Sequence, residues 1–285
     1  MGDHEPGMSH SDDEKHGDDE NTHAPSDVDM SRPSIARVYD FLLGGKENLE
    51  IDRRAANRFL NVVPEAGQIA RDNREFLRRA LRFLVGEAGI RQVIDVGSGL
   101  PTAGNAHELA HEFAPHVRVV YVDNDPVVLA HGRALLDRDQ ITTIIRADLR
   151  RPETIFEHED ATKLIDFSRP CAVLLAGILH HLHDKEDPYG ATAHIVERLV
   201  PGSYLLVSNF LDDDEPRAKA AERAFMDSGL RRGRFRTWAE QRRFFEGLEL
   251  VEPGFVYVND WRPDERTSNE DAVRTLHAGG IGRKA

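Results

Sequence analysis

The chain has 285 residues, 40% hydrophobic and 31% charged, with a formal net charge of −13. That acidic balance argues against a protein living on nucleic-acid phosphates and against a polybasic membrane anchor. The single cysteine, Cys171, excludes an intrachain disulfide framework and a cysteine zinc site, and no apolar run approaches the ~20 residues of a membrane span.

Residues 1–30 hold ten acids and one base, a charge of −9 that leaves −4 for the other 255 residues. This segment has no Ile, Leu or aromatic residue, so it cannot bury enough apolar area to offset chain entropy, and disorder is expected. It is too polar and acidic for a secretory signal, which points to the cytoplasm. Its histidines (His4, His10, His16, His23) are read as part of a solvated tail.

Order is expected from Ser31. Ile35, Val38, Tyr39 and Leu42 share one helical face, with Pro33 in the first turn and Gly44-Gly45 at the end. A second helix is predicted at Ile51–Leu60 and a third at Pro64–Val85. In the third, Ile69, Phe76, Leu77, Ala80, Leu81 and Leu84 form the apolar stripe, and Arg71, Arg74, Arg78 and Arg82 lie off it. From residue 91 the pattern alternates. β-Branched runs at Gln92–Val96, Arg118–Val122, Ile141–Ile145, Cys171–Ala176 and Ser203–Ser208 are separated by helical segments near 102–113, 126–136, 152–156 and 191–199. Near-continuous apolar strands between helices read as a parallel sheet covered on both faces. Helices at Glu215–Ser228 and Trp238–Glu246 follow, then strands at Leu248–Val258 and Leu276–Arg283. The chain thus divides into a tail (1–30), a helical segment (31–90) and an α/β core (91–285).

The segment Val93-Ile94-Asp95-Val96-Gly97-Ser98-Gly99 carries the first chemical signal. In a doubly wound sheet, ligands bind beyond the carboxyl ends of the strands, and glycines there permit close approach to the backbone. A lone Gly-x-Gly is also what a tight turn needs. The dinucleotide fingerprint wants glycine at position 102, where this chain has Thr102. Asp95 would repel a pyrophosphate and attract an ammonium, so a nicotinamide-dependent oxidoreductase is disfavoured. Asp123 ends the second strand, where an acid accepts from ribose hydroxyls. Asp125 fits a helix cap or a contact. Asp148 ends the third strand, as an acceptor for an adenine amino group or as a solvated loop acid.

These stretches carry a resemblance. PSIARVYDFLLGGKENLEIDR (33–53), ARDNREFLRRALRFL (70–84), QVIDVGSGLPTAGNAHE (92–108), VVYVDNDPVVLAHGRALL (119–136), ADLRRPE (147–153) and the end WRPD…GGIGRKA are similar to class I S-adenosylmethionine-dependent methyltransferases. More narrowly, they resemble a bacterial S-adenosyl methyltransferase-like family whose substrates are mostly unassigned. The resemblance covers the chain from residue 31 onward. It implies a Rossmann-like doubly wound α/β fold, with a seven-stranded sheet whose last strand is antiparallel, and an N-terminal helical lid. It also implies S-adenosyl-L-methionine as cofactor. Asp95, Gly97, Ser98 and Gly99 would hold its amino-acid part and Asp123 its ribose, with Asn124, Asp148 and Leu149 along its adenine.

Methyl transfer from a sulfonium needs a base only when the acceptor must lose a proton. Gly177-Ile178-Leu179-His180-His181-Leu182 follows the fourth strand, and many small-molecule methyltransferases carry a similar stretch. His180 or His181 is a candidate base; either could instead shape the cofactor pocket. The spacing of His180, His181, His183 and Asp184 matches no common metal motif, so no metal is expected. Tyr39, Asp40 and Gly44–Asn48 suit a lid over the cofactor or a capped polar loop, and Tyr39 is a further candidate catalytic residue. Gly44-Gly45-Lys46 lacks phosphate-loop spacing. Arg71, Asn73 and Arg74 could reach a cofactor carboxylate, although a solvated helix face is the default. Arg231-Arg232-Gly233-Arg234-Phe235-Arg236 reads as a surface turn. A methyltransferase acting on a small molecule is the expectation, nucleic acid and membrane not being expected partners. A cofactor-binding regulatory protein without transfer is the rival.

Overall fold

The computed structural model describes residues 1–2, 31–101, 104–136, 140–230, 233–268 and 275–285. Residues 3–30 of the predicted tail with its histidines, and Thr102, Arg231 and Arg232, lie outside them.

Among the described residues nine strands form one sheet: β1 Gln92–Val96, β2 Arg118–Asp123, β3 Thr142–Arg146, β4 Ala172–Ala176, β5 Tyr204–Asp212, β6 Arg236–Thr237, β7 Glu249–Leu250, β8 Val256–Tyr257 and β9 His277–Arg283. The main order is β3-β2-β1-β4-β5-β9-β7. The pairs among β1–β5 are parallel, and β9 runs antiparallel to β5 and β7. β6 pairs with the end of β5, and β8 with β9. The main order thus has the expected seven strands with an antiparallel last strand, and β6 and β8 are additions to it. The expected strand Leu248–Val258 is broken into β7 and β8, because Pro253 lacks an N–H and Gly254 turns at φ +99°.

The strands feed two cores because successive side chains point to opposite faces. On one face Val93, Val119, Tyr121 and Leu174 pack against Phe76, Leu77, Leu81 and Leu84. These last residues come from helix α3, Ala66–Leu81, which continues as a wider turn to Glu87. On the other face Ile94, Val96, Val120 and Val122 meet Ile155, Phe156, Ile195 and Phe244. Helices α1 (Ile35–Leu42) and α2 (Glu50–Leu60) precede α3. Helices α4 (Ala106–Phe113), α5 (Pro126–Leu136), α6 (Glu153–Phe156), α7 (Glu159–Leu164), α8 (Pro188–Arg198), α9 (Pro216–Phe225) and α10 (Trp238–Arg242) complete the order. The short α7 was not anticipated. Among the described residues no helix is long and apolar enough to cross a membrane.

Two arginines depart from the sequence reading, Arg78 and Arg236. Arg78, expected off the stripe, is buried between Glu75 (2.8 Å) and Asp264. Its neighbour Arg79 donates to the carbonyls of Trp261 (3.0 Å) and Val258 (2.6 Å). These contacts join two of the stretches that carried the resemblance. Arg236, expected on a surface turn, is 1% exposed and donates to the carbonyls of Leu179 (3.0 Å) and Leu182 (2.9 Å) and to Asp184 (2.8 Å). A guanidinium has five donors, and here those on its two Nη atoms bind the turn that holds His180 and His181.

Candidate cofactor site

The site is assembled where β1, β2 and β4 end. After Val96 the chain turns through Gly97 (φ +73°) and Gly99 (φ +68°), a region that L side chains avoid. The Gly97 and Ser98 amides donate to the Val122 carbonyl, at 2.8 and 3.3 Å, tying the turn to the end of β2. A Cβ on Gly97 would stand 2.6 Å from Ile178 Cδ1, whereas one on Gly99 would meet nothing within 4 Å. Gly97 is therefore required by packing, and Gly99 leaves an approach to the backbone open.

Asp123 anchors the turn. Its Oδ2 accepts the Gly99 N–H (2.9 Å) and its Oδ1 the Asp125 N–H (2.9 Å). Each oxygen retains a lone pair for a ligand hydroxyl. Burial pushes the Asp123 pKa up, and the backbone donors offset part of that. Asp95, buried beside it, is raised to about 6 by desolvation; the Arg74 charge pulls it down and the Asp123 charge pushes it up. A buried carboxylate under that penalty is ready to accept a cation. The Ser98 hydroxyl is buried and has no hydrogen-bond partner among the described residues.

Asp148 and Asn124 meet at 3.1 Å at the end of β3. Arg150 also binds Asp148, through Nε (2.9 Å) and through a second charged contact, and reaches Glu186 at 3.1 Å. The Arg150 hydrogen bonds hold the Asp148 carboxyl well below the usual carboxylate range. The Leu149 side chain is buried in the second core.

The N-terminal helices close over this end of the sheet. Asp125 caps α5 by accepting the Val127 N–H (2.8 Å), and its other oxygen accepts the Ser34 hydroxyl at 2.6 Å. The cap reading of Asp125 is thus realised. Buried Asp52 accepts Ser34 N–H (2.9 Å) and Arg37 Nε (2.7 Å), locking α1 to α2. The Tyr39 hydroxyl donates to the Ala70 carbonyl (3.1 Å) and accepts from Asn73 Nδ2 (3.4 Å). Ser208 on β5 donates to Asn73 Oδ1 at 2.7 Å. The Arg74 guanidinium lies 5.6 Å from the centroid of the Tyr39 ring. The Asn73 amide stands 3.4 Å from the Cβ position of Gly177, the first residue after β4. Tyr39, Asn73, Arg74 and Asp95 therefore share one neighbourhood, while Arg71 is exposed and bonded to Gln68.

The histidines sit deeper. The His180 N–H donates to Asn209 (3.2 Å), and its ring lies 5.0 Å from Phe210 and 5.9 Å from Phe225. His181 packs 5.4 Å from Phe225. Burial drives the His180 pKa well below its ordinary value. His277, which the sequence did not single out, lies 5.2 Å from Phe210 and is pushed down to about 3 by burial. Among the described residues no group of three His, Cys, Asp or Glu could hold a metal. Sequence reasoning also missed Arg150, Ser34 and Arg236, whose partners are 2, 91 and up to 57 residues away. Only the Arg150 pair is close enough to have been legible.

The chain is similar to a candidate methyltransferase from Thermobifida fusca YX. The two share 46% identity over 90% of this chain and 96% of that one, at a TM-score of 0.86. It is also similar to a DUF574 family protein from Streptomyces avermitilis MA-4680, at 36% identity over 90% and 98% of the two chains, TM-score 0.84. No curated protein matches it. Residues 21–285 match the S-adenosyl methyltransferase family, ten residues further upstream than the motifs alone suggested. The chain belongs to the S-adenosyl methyltransferase family.

Proposed function

We propose that this protein uses S-adenosyl-L-methionine to methylate a small molecule. The observation that carries the reading is the turn after β1, where Gly99 leaves open space beside the Asp95 and Asp123 carboxylates. The donor set fits the cofactor's chemistry. Asp95 would take the ammonium and Arg74 the carboxylate of its amino-acid end, and the Ser98 hydroxyl, which lacks a protein partner among the described residues, stands in the same turn. Asp123 would accept the ribose hydroxyls on its remaining lone pairs. Asn124, Asp148 and the Leu149 backbone would border the adenine. When bound, the cofactor supplies a methyl group activated by a sulfonium.

The protein's own contribution is positioning and exclusion of water. Tyr39 and Asn73 present fixed polar groups near the end of β4, where they would orient the acceptor. Arg236 fixes the His180–His181 turn from behind. We assign His180 and His181 to shaping the pocket, because aromatic rings enclose them and a deeply lowered pKa makes His180 a weak base. The small-molecule class is favoured by the acidic balance of the chain.

That same enclosure of the imidazoles favours a second reading, a cofactor-binding protein without transfer. The experiment is incubation with methyl-labelled S-adenosylmethionine and a panel of small hydroxyl, amine and carboxylate compounds. Labelled product with release of S-adenosylhomocysteine supports transfer. Binding without release across the panel favours the second reading. Binding of nicotinamide cofactors instead would remove both.

A further inference from the structure

We infer that the amino edge of the sheet carries an arginine-lined groove that docks the acidic segment 3–30 of the same chain. Strand register brings the arginines together. Gln92 pairs with Arg118 across β1 and β2, and Tyr204 pairs with Arg283 across β5 and β9. Arg91 stands just before β1, and Arg169 lies three residues before β4. Because β9 is antiparallel, its carboxyl end shares this edge with the starts of the other strands. Four guanidinium groups therefore meet at the end of the sheet opposite Gly97, Gly99 and Asp123. They line a cavity of about 580 Å³, with Tyr204 and Pro170 in its wall and no carboxylate in its lining among the described residues. Such a volume lies in the range of ligand sites.

The charges are weakly engaged within the fold. Arg91 donates to the carbonyls of Val85 (2.9 Å) and Ile90 (2.8 Å), and Arg118 to that of Leu164 (3.3 Å). Arg283 is 4.0 Å from the exposed Glu249. Asp166, bonded chiefly by Ser168, feels the Arg169 and Arg118 charges. Neutral carbonyls leave a guanidinium's charge available to an incoming carboxylate.

Charge and reach identify the occupant. Segment 3–30 carries −9, with acids clustered at 12–14 and 18–20, whereas the other residues together carry only −4. Ser34 is fixed to Asp125 at the carboxyl end of β2, so the segment starts at the opposite end of the sheet from the groove. A six-residue strand spans ~20 Å, and 28 extended residues reach up to ~95 Å. The tether covers that distance several-fold, and attachment holds the acids at an effective concentration in the millimolar range.

The test uses the full chain, labelled with nitrogen-15 and carrying a nitroxide at Ser11→Cys; Cys171 is buried and does not compete for the label. Amide signals of Arg91, Arg118, Arg169 and Arg283 should lose intensity at low salt, while those of Gly97 and Asp123 should not. The loss should vanish at ~1 M salt, where the Debye length is ~3 Å. It should also vanish in the Arg118→Glu/Arg169→Glu double variant, whose exposed positions leave the remaining amide spectrum as a check on folding. Absent or uniform broadening overturns the proposal, as does broadening that survives charge reversal. Broadening that appears equally when nitroxide-bearing unlabelled chain is mixed with nitroxide-free nitrogen-15 chain places the segment on a second copy and overturns docking within one chain.

Discussion

Replacing Asp95 by asparagine removes a charge that the fold opposes and the ligand is expected to require. Burial raises this carboxyl from 3.8 to about 6, net of the attraction by Arg74. A shift of about two units, at 1.36 kcal/mol each, corresponds to about 3 kcal/mol against the ionised form. The sign follows from linkage. A native state with the higher pKa binds the proton more tightly, so this group's contribution falls as pH rises from about 4 to about 6 and stays low above. Asp95→Asn should therefore stabilise the ligand-free protein at pH 7.5 by up to about 3 kcal/mol, or about 6 °C in Tm. The gain should shrink towards pH 4. Urea unfolding at both pH values measures it. Melts with S-adenosylmethionine supply the other half, because ligand raises Tm only where it binds the native state; the wild type should gain and the variant should not. A variant less stable than wild type at pH 7.5 would refute the reasoning, since it would mean the carboxylate is well paired inside the fold.

Other substitutions separate packing from binding. Gly97→Ala must accommodate a Cβ 2.6 Å from Ile178 at φ +73° and should cost about 3 kcal/mol in denaturant unfolding. Gly99→Ala meets no atom, so about 1–2 kcal/mol of backbone strain is its only stability cost; calorimetry should show that its larger effect is lost cofactor binding. Arg236→Met removes the guanidinium donors from the Leu179 and Leu182 carbonyls and from Asp184, leaving Leu179 only the Leu182 N–H, and should destabilise by about 2 kcal/mol, with the His180 and His181 ring resonances shifted. Arg150→Ala should move the Asp148 pKa upward towards the ordinary carboxylate range, read by carbon-13 titration of the carboxyl signal.

The parallel strands and Gly-x-Gly turn were legible because their information is local. Burial on both faces writes itself as continuous apolar runs, and three acids near successive strand ends point to the proposed ligand edge. What escaped the reading is long-range. Arg78 lies off the apolar stripe by helical periodicity, yet it is buried because Asp264, 186 residues later, neutralises it. Arg236 sits in a basic run that reads as surface, and only the fold brings three acceptors to it. The histidine pair was placed correctly after β4, but nothing local reveals that Phe210 and Phe225 enclose it. The break between β7 and β8 was readable at Pro253-Gly254 and was overlooked in favour of the apolar run.

Calorimetric titration of the full chain with S-adenosylmethionine, and then with S-adenosylhomocysteine, is the most direct measurement. Both should bind at one site, and Asp123→Ala should weaken both, because that carboxylate holds the Gly99 amide as well as the expected ribose hydroxyls. Absence of binding by either compound at millimolar concentration would contradict the assignment.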